Sequence, residues 1–412
     1  VEFETCRLSC GLRIICAPYA SDVVYCGMAV DAGTRDEMAA ESGMAHFTEH
    51  LSFKGTLHRS SRQIITRMES VGGDLNAYTG KEETFYYCTL LRPHLSRAID
   101  LLLDISLCST YPQHEIEREV EVVLDEIESY NDSPGELIYD EFEALSFPGH
   151  PLGRNILGEA DRLREIRTED VSQFTRRNYL PSRMVLYVYG RVGLDEVARQ
   201  AEQSIARLGI GSRIFAAEGP VRKQPQAAVA GTEVCTEKST HQAHVMMGTR
   251  GFSATDPRHL HLYLLNNMLG GPALSSRLNM SLRERNGLVY SVESSATAYT
   301  DTGLWSVYFG CDHHDVARCR RLVLRELARL AEAPLSQRVL DAARRQLKGQ
   351  IGLSYDNAES VALDMAKRYL HYGRTQTKEQ LFERLDALTP DALWQTAQEV
   401  FAPERITTLI FN

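Results

Sequence analysis

Residues 257–311 read PRHLHLYLLNNMLGGPALSSRLNMSLRERNGLVYSVESSATAYTDTGLWSVYFGC. Apolar residues at helical spacing run through 257–269 and stop at Gly270-Gly271. A second helical piece covers 275–285, and two β-rich runs follow at 289–299 and 303–311. Strands at 231–237 and 242–249 precede this stretch, and helices at 316–331 and 336–352 follow it. The same order occurs earlier in the chain. Strands at 12–18 and 23–32 lead into helices at 42–53 and 61–70, a Gly72-Gly73 turn, and paired strands through Leu91. An apolar helix at 95–106 and a long charged one at 114–130 close that copy. The tails, 161–205 and 377–412, each combine helices with a short strand.

An α+β chain made of two homologous domains is therefore expected, each an antiparallel-rich sheet covered by helices. The spacing predicts domains at 1–207 and 229–412. Between them, in 208–228, Gly, Pro and charge replace periodic apolar residues, as in a linker.

Composition narrows the function classes. The 412 residues are 43% hydrophobic and 24% charged, which excludes a disordered chain. Asp and Glu (55) outnumber Lys and Arg (45), so the basic footprint needed for nucleic acid is missing. No run approaches the ~20 apolar residues of a membrane span. The N-terminal segment lacks a basic-then-apolar signal layout, and a leader removed ahead of Val1 is compatible with that. Nine cysteines, an odd number without a CxxC pair, read as free thiols, and a cytoplasmic location is expected.

The chemistry sits on copy one. Residues 43–55 read GMAHFTEHLSFKG. On a helix, His46 and His50 share one face with Cβ atoms ~5–6 Å apart, and Glu49 projects beside them. Two neutral imidazoles can hold a zinc ion while leaving places for a carboxylate and a water, whose proton Glu49 could take. HxxEH is the inverted form of the zincin motif. A third ligand is expected from the acidic helix at 114–130. There Glu119 and Glu126, seven residues apart, form one row between Val122 and Val123; Glu117 and Glu128 form a competing one. A solvated face fits Glu121, Asp125 and Glu128 better.

Copy two serves as a control. Opposite the HFTEH positions it carries Tyr263, Asn266 and Asn267, and its last helix offers Arg and Lys in place of the two glutamates. The fold forms without those side chains, so packing does not explain them in copy one. His313-His314 after Cys311 read as a polar turn.

The chain resembles the pitrilysin/insulinase/mitochondrial-processing-peptidase family of zinc metallopeptidases. The likeness rests on HFTEHLSFKGT (46–56), Glu126 within EREVEVVLDEIES (117–129), GGDLNAYTGKEETFYY (72–87), HPLGRNILG (150–158) and SSRLNMSLRERNGLVYSV (275–292). It spans nearly the whole chain in the family's order. The resemblance implies one Zn2+ per chain on His46, His50 and Glu126, with Glu49 as general base and Glu119 orienting a ligand histidine. It implies that copy two is zinc-free and that its Arg283 and Tyr290 reach substrate. The strand around Asn76, Ala77 and Tyr78 becomes an edge to which an extended peptide adds. The implied function is a zinc endopeptidase cleaving unfolded peptides or leader segments inside an enclosed chamber. A homodimer, or a pairing with a zinc-free homologous chain, would supply the four domains that relatives use. The alternative is a non-catalytic partner or scaffold subunit, against which the intact motif argues. One departure is Pro272, where relatives often carry a third small residue.

Overall fold

The computed structural model of the chain describes residues 3–212, 219, 221–226 and 231–412. Residues 213–218, 220, 227 and 228 of the expected linker, with 229 and 230 at the expected start of the second domain, lie outside the described residues.

In chain order, β1 (Glu4–Arg7), β2 (Arg13–Ala17) and β3 (Val23–Val30) lead to α1 (Met44–Leu51) and α2 (Ser61–Glu69). Strands β4 (Asp74–Thr79) and β5 (Thr84–Leu91) precede α3 (Leu95–Leu107), α4 (Gln113–Asn131) and α5 (Pro134–Ser146). Then come α6 (Ala160–Glu165), α7 (Thr168–Asn178), β6 (Met184–Tyr189) and α8 (Leu194–Arg207). The second half holds β7 (Glu233–Thr236), β8 (Ala243–Gly251), α9 (Arg258–Gly270), β9 (Val289–Ala298) and β10 (Gly303–Cys311). It continues with α10 (Val316–Glu332), α11 (Gln337–Ser354), α12 (Ala358–Tyr372), α13 (Lys378–Asp386), α14 (Pro390–Val400) and β11 (Thr407–Phe411). The helix expected at 275–285 is tighter in extent, with a wide π turn at Asn279–Glu284.

The two sheets have orders β1-β2-β6-β3-β5-β4 and β7-β11-β8-β10-β9. Each contains one parallel pair, β2 with β6 and β7 with β11, and every other pair is antiparallel. Without β1 the first sheet has the connectivity of the second, so the duplication in the sequence is a duplication of topology.

The compact units do not follow the chain halves. One comprises Val1–Glu128, Arg154–Lys223 and Leu353–Thr377; the other comprises Ser129–Gly153, Gln224–Gly352 and Lys378–Asn412. Each unit thus takes a helix from the opposite half: α12 joins the first and α5 the second. Strand alternation supplies the reason. Ile14, Cys16, Val24, Cys26, Met28, Leu186 and Val188 face one core, which α3, α4 and α8 also line. Their neighbours Ile15, Ala17, Ala29, Val185 and Tyr187 point the other way and are also buried. Covering that second face falls to α12, whose Ala358, Ala362 and Ala366, four residues apart, let the helix lie close while Met365 and Leu370 fill the flanks. In the other unit, Leu137, Ile138 and Phe142 of α5 pack against Met246, Leu409 and Phe411. All nine cysteines are free.

Candidate metal centre

Helix α1 begins at Gly43, whose φ of 85° is a left-handed conformation that favours glycine. A side chain there would also meet the Leu157 carbonyl at 2.7 Å. In place of an N-cap side chain, the buried Glu37 carboxylate accepts from the Gly43 and Ala45 amides at 3.2 and 2.9 Å. At the far end, the Ser52 hydroxyl donates to the Thr48 carbonyl at 2.8 Å and lies 3.0 Å from the Tyr86 hydroxyl. Met44, Ala45, Phe47 and Leu51 face the core. His46, Glu49 and His50 are consequently presented on the opposite face.

That face meets α4. The Nε2 atoms of His46 and His50 each lie 3.8 Å from Glu126 Oε2. One ligand atom from each of the three residues falls within 4.8 Å of the others. Ligands about 2.0–2.2 Å from a tetrahedral zinc would be separated by about 3.3 Å, so each histidine and Glu126 need to approach by only about half an ångström. Two imidazoles and one carboxylate form the three-ligand set of zinc sites that keep a fourth position open. The donor set therefore fits the ion.

Electrostatics separate the two histidines. Burial and the neighbouring His50 lower the His46 imidazole to about 4, so it is neutral and ready to ligate at pH 7. Burial acts in the same direction on His50, but the hydrogen bond to Glu119 and the Glu126 and Glu49 charges outweigh it, and the net shift is upward. Nδ1 of His50 is 3.0 Å from Glu119 Oε1, and Lys54 Nζ is 2.5 Å from Glu119 Oε2. Burial acts to raise Glu119, yet these two partners hold it below the ordinary carboxylate range. Glu49 moves upward because burial outweighs the hydrogen bond it accepts from the Thr79 hydroxyl at 2.5 Å.

On α4, Glu119 is buried and Glu126 half-buried, while Glu117 and Glu128 are exposed. The flanking valines differ: Val123 is buried, but Val122 is 45% exposed. The carboxylate row therefore runs along the boundary of the buried face rather than inside it. Strand β4 is an edge strand, paired among the described residues only with β5, and it contains Asn76, Ala77 and Tyr78. Asn76 is exposed, whereas the Tyr78 ring stacks on Phe85 at 5.0 Å.

In the other unit, Arg283 lies on the π turn and Tyr290 is the second residue of β9, with Gly287 (φ 60°) at the bend between them. The Arg283 guanidinium lies 5.8 Å from the Tyr290 ring centre. Tyr290 does not pack in its sheet, being 87% exposed. Arg283 Nε also lies 3.8 Å from Glu284 Oε1, at the outer limit of an ion pair. Copy two's α9 carries side-chain amides, which α1 lacks. Asn266 donates to the Ser294 carbonyl at 3.1 Å and accepts from the Trp305 indole at 3.0 Å. The His313–Asp315 segment is an exposed 3-10 turn, as expected.

Three neighbours of the site went unmarked in the sequence: Thr79, Lys54 and Glu37. Lys54 had a usable signal, since it lies one helical turn beyond His50 in the same motif.

A duplicated α+β chain whose first copy carries HxxEH on one helix and a convergent carboxylate on another has the build of an inverted-motif zinc peptidase. The family model described as Insulinase (Peptidase family M16) matches residues 15–160, and that described as Peptidase M16 inactive domain matches 165–347. The chain belongs to the M16 peptidase family. It is 30% identical over 408 residues to an uncharacterized zinc protease of Bacillus subtilis, covering 98% of this chain and 97% of that one. It is 30% identical over 411 residues to a probable mitochondrial-processing peptidase subunit beta of Schizosaccharomyces pombe, covering 96% and 88%. A crystal structure of a protease from Helicobacter pylori shares the fold, with a TM-score of 0.91 at 21% identity over 100% of this chain and 99% of that one. No helix among the described residues is long and apolar enough to cross a membrane.

Proposed function

We propose that this chain is a zinc-dependent endopeptidase acting on unfolded peptides or leader segments. The observation that carries it is the convergence of His46, His50 and Glu126 beside a buried, hydrogen-bonded Glu49. A zinc ion held by those three residues would supply Lewis acidity, polarising a peptide carbonyl and acidifying water at its open position. Glu49 takes a proton from the attacking water and later delivers it to the leaving amine. Burial suits it to that role, because a carboxyl raised above its usual range is a better base once ionised. Glu119 orients His50. An extended substrate pairs with the free edge of β4 at Asn76–Tyr78, and Arg283 and Tyr290 offer donors to the substrate.

The relative named as a subunit supports an assembly of more than one chain. The assembly proposed here is a homodimer enclosing a chamber, with a zinc-free homologous chain as the alternative partner. Sedimentation at micromolar concentration tests it, and a ~46 kDa species that cleaves peptides would exclude the homodimer as the working form.

Glu49→Gln tests the chemistry, since it removes the base and keeps both histidines. Turnover of a mixed peptide library should fall at least ~10²-fold with about one zinc per chain retained. Near-normal turnover would sink the assignment of Glu49. A zinc-loaded wild-type protein that cleaves nothing by itself would instead assign the chain as a non-catalytic partner.

A further inference from the structure

The segment TGKEET (79–84) joins β4 to β5, and nothing in the proposed chemistry uses it beyond the strand residues before it. Lys81, Glu82 and Glu83 are nonetheless all buried, at 8%, 4% and 5% exposure, in a turn that would ordinarily be solvated. The ties on this turn are dense. Its own Gly80 amide donates to the Glu83 carbonyl at 2.7 Å, and the Thr34 and Arg35 amides donate to the Gly80 and Lys81 carbonyls at 3.3 and 2.8 Å. Gly33 lies so close that an added Cβ would be 2.4 Å from the Gly80 carbonyl oxygen. Arg35 pairs with the Glu82 carboxylate at 2.5 Å, and the Lys81 ammonium donates to the Arg154 carbonyl. Arg222, from the segment between the two copies, donates to the Glu82 carbonyl at 2.6 Å while gripping Asp36 at 2.7 Å. His371 of α12 sits 3.0 Å from the Glu83 carboxylate, which Lys367 also contacts.

Thr79 is the first residue of this segment, and its hydroxyl donates to Glu49 Oε2 at 2.5 Å. The other Glu49 oxygen has no hydrogen-bond partner among the described residues. An edge strand bonded on one side frays at its end, so a hydroxyl there would hold a carboxylate loosely unless the following turn were fixed. Threonine adds to the restraint, because its β-branch limits χ1.

We propose that Thr79 is a positioning residue for the Glu49 carboxylate, and that the buried turn after it, fastened by Arg35, Arg222, Lys367 and His371, holds the Thr79 hydroxyl in place. The inference rests on Glu49 being the general base. One carboxylate oxygen is pinned by Thr79, and the other is left to handle the proton. A misplacement of the order of 1 Å in such a group costs roughly 10²-fold in rate.

The test compares Thr79→Val, Thr79→Ser and Glu49→Gln in the full chain, with kcat, KM, zinc affinity by chelator competition and melting temperature measured on each. Thr79→Val keeps the shape and removes the donor. Its kcat should drop roughly 10–100-fold while KM stays within about twofold and zinc affinity is unchanged. Thr79→Ser restores the donor and should recover most of the rate. Arg222→Gln should lower kcat in the wild-type background and add little to Thr79→Val, because both act through one contact. If Arg222→Gln does not fold, Lys367→Met, whose side chain is half-exposed, takes its place in the cycle. A normal kcat for Thr79→Val beside an inactive Glu49→Gln overturns the inference alone. Equal losses for the Val and Ser variants also overturn it, since the hydroxyl would then be irrelevant. Additive losses refute the role of the turn. An active Glu49→Gln removes the base assignment and this inference together.

Discussion

His50 and Glu119 are joined by a 3.0 Å hydrogen bond between ring Nδ1 and one carboxylate oxygen, and Lys54 occupies the other oxygen. With Nδ1 committed, Nε2 of His50 is left to face Glu126. The proton on the imidazole is thereby fixed on the side away from the proposed ion. His46 lacks the equivalent support, since its Nδ1 is buried without a hydrogen-bond partner among the described residues.

Three substitutions on α4 should separate the roles of its glutamates. Glu126→Gln should abolish or strongly weaken zinc binding. Glu119→Gln should weaken it roughly 10–100-fold, and Glu128→Gln, on the exposed side, should leave it unchanged. Chelator competition reads all three, and equal affinities would reduce the acidic helix to a solvated face.

Arg283 and Tyr290 should matter for rate and little else. Tyr290 is exposed and supports no core, so Tyr290→Phe should leave the melting temperature and zinc content in place. On the scale of one lost oxyanion donor, Tyr290→Phe and Arg283→Ala should each lower kcat roughly 10–10³-fold. Unchanged kcat in both variants would retire the idea that the second copy contributes to the chemistry.

The tie between α12 and the first sheet should make stability depend on pH on both sides of a maximum. Burial acts to raise Asp31 and Glu83, but His371, 3.4 Å from Asp31 and hydrogen-bonded to Glu83, together with Arg222 and Arg183 beside Asp31 and Lys367 beside Glu83, brings each down to about 2. A carboxyl depressed in the folded state stabilises above its unfolded value, ~4, and that contribution is lost as pH falls toward 2. His371 moves the other way. Burial acts to lower it, yet Asp31 and Glu83 leave it raised overall. Its contribution is full below ~6.5 and disappears as pH climbs through the raised folded value. Melting temperature against pH should therefore peak between about pH 5 and 6.5. His371→Gln should flatten the alkaline limb, and an unchanged limb would mean that His371 is neutral throughout.

The exchange of α5 and α12 should make the halves interdependent. Residues 1–207 expressed alone lack α12, which leaves Ile15, Ala29, Phe85, Val185 and Tyr187 uncovered. We expect that fragment to be insoluble or molten, and co-expression with 208–412 to restore a cooperative melt. A well-folded 1–207 fragment would show that α12 is dispensable.

Much of this arrangement was legible in the sequence. The 3.6-residue period of α1 and α4 placed His46, His50, Glu119 and Glu126 on their helices, and alternation placed the strands of both sheets except β1, whose four residues carry no buried face. Yet 131–160 and 353–376, which contain α5 and α12, went unassigned. Periodicity can reveal an apolar helix face, but the sheet that receives it lies in the other half of the chain. Thr79 and Glu37 escaped for a related reason. Each acts on α1 through a contact made only when separate segments pack, and a threonine after a strand or a glutamate in a loop has no distinguishing period. Choosing the Glu119/Glu126 row over Glu117/Glu128 likewise needed α1 beside α4.

Because α12 lies about 150 residues after α8, and further still from the sheet it covers, the order of synthesis matters. At translation rates of about 5–20 residues per second, the face lined by Ile15, Phe85 and Tyr187 waits roughly 10–30 s after α8 is made before its cover leaves the ribosome. The opposite core, which includes the packing face of the histidine helix, is complete by Ile210 and can assemble during that interval. The nascent chain thus passes through a state with its histidine-bearing side built and its other side bare, which gives a chaperone an apolar sheet to shelter until the last quarter of the protein arrives.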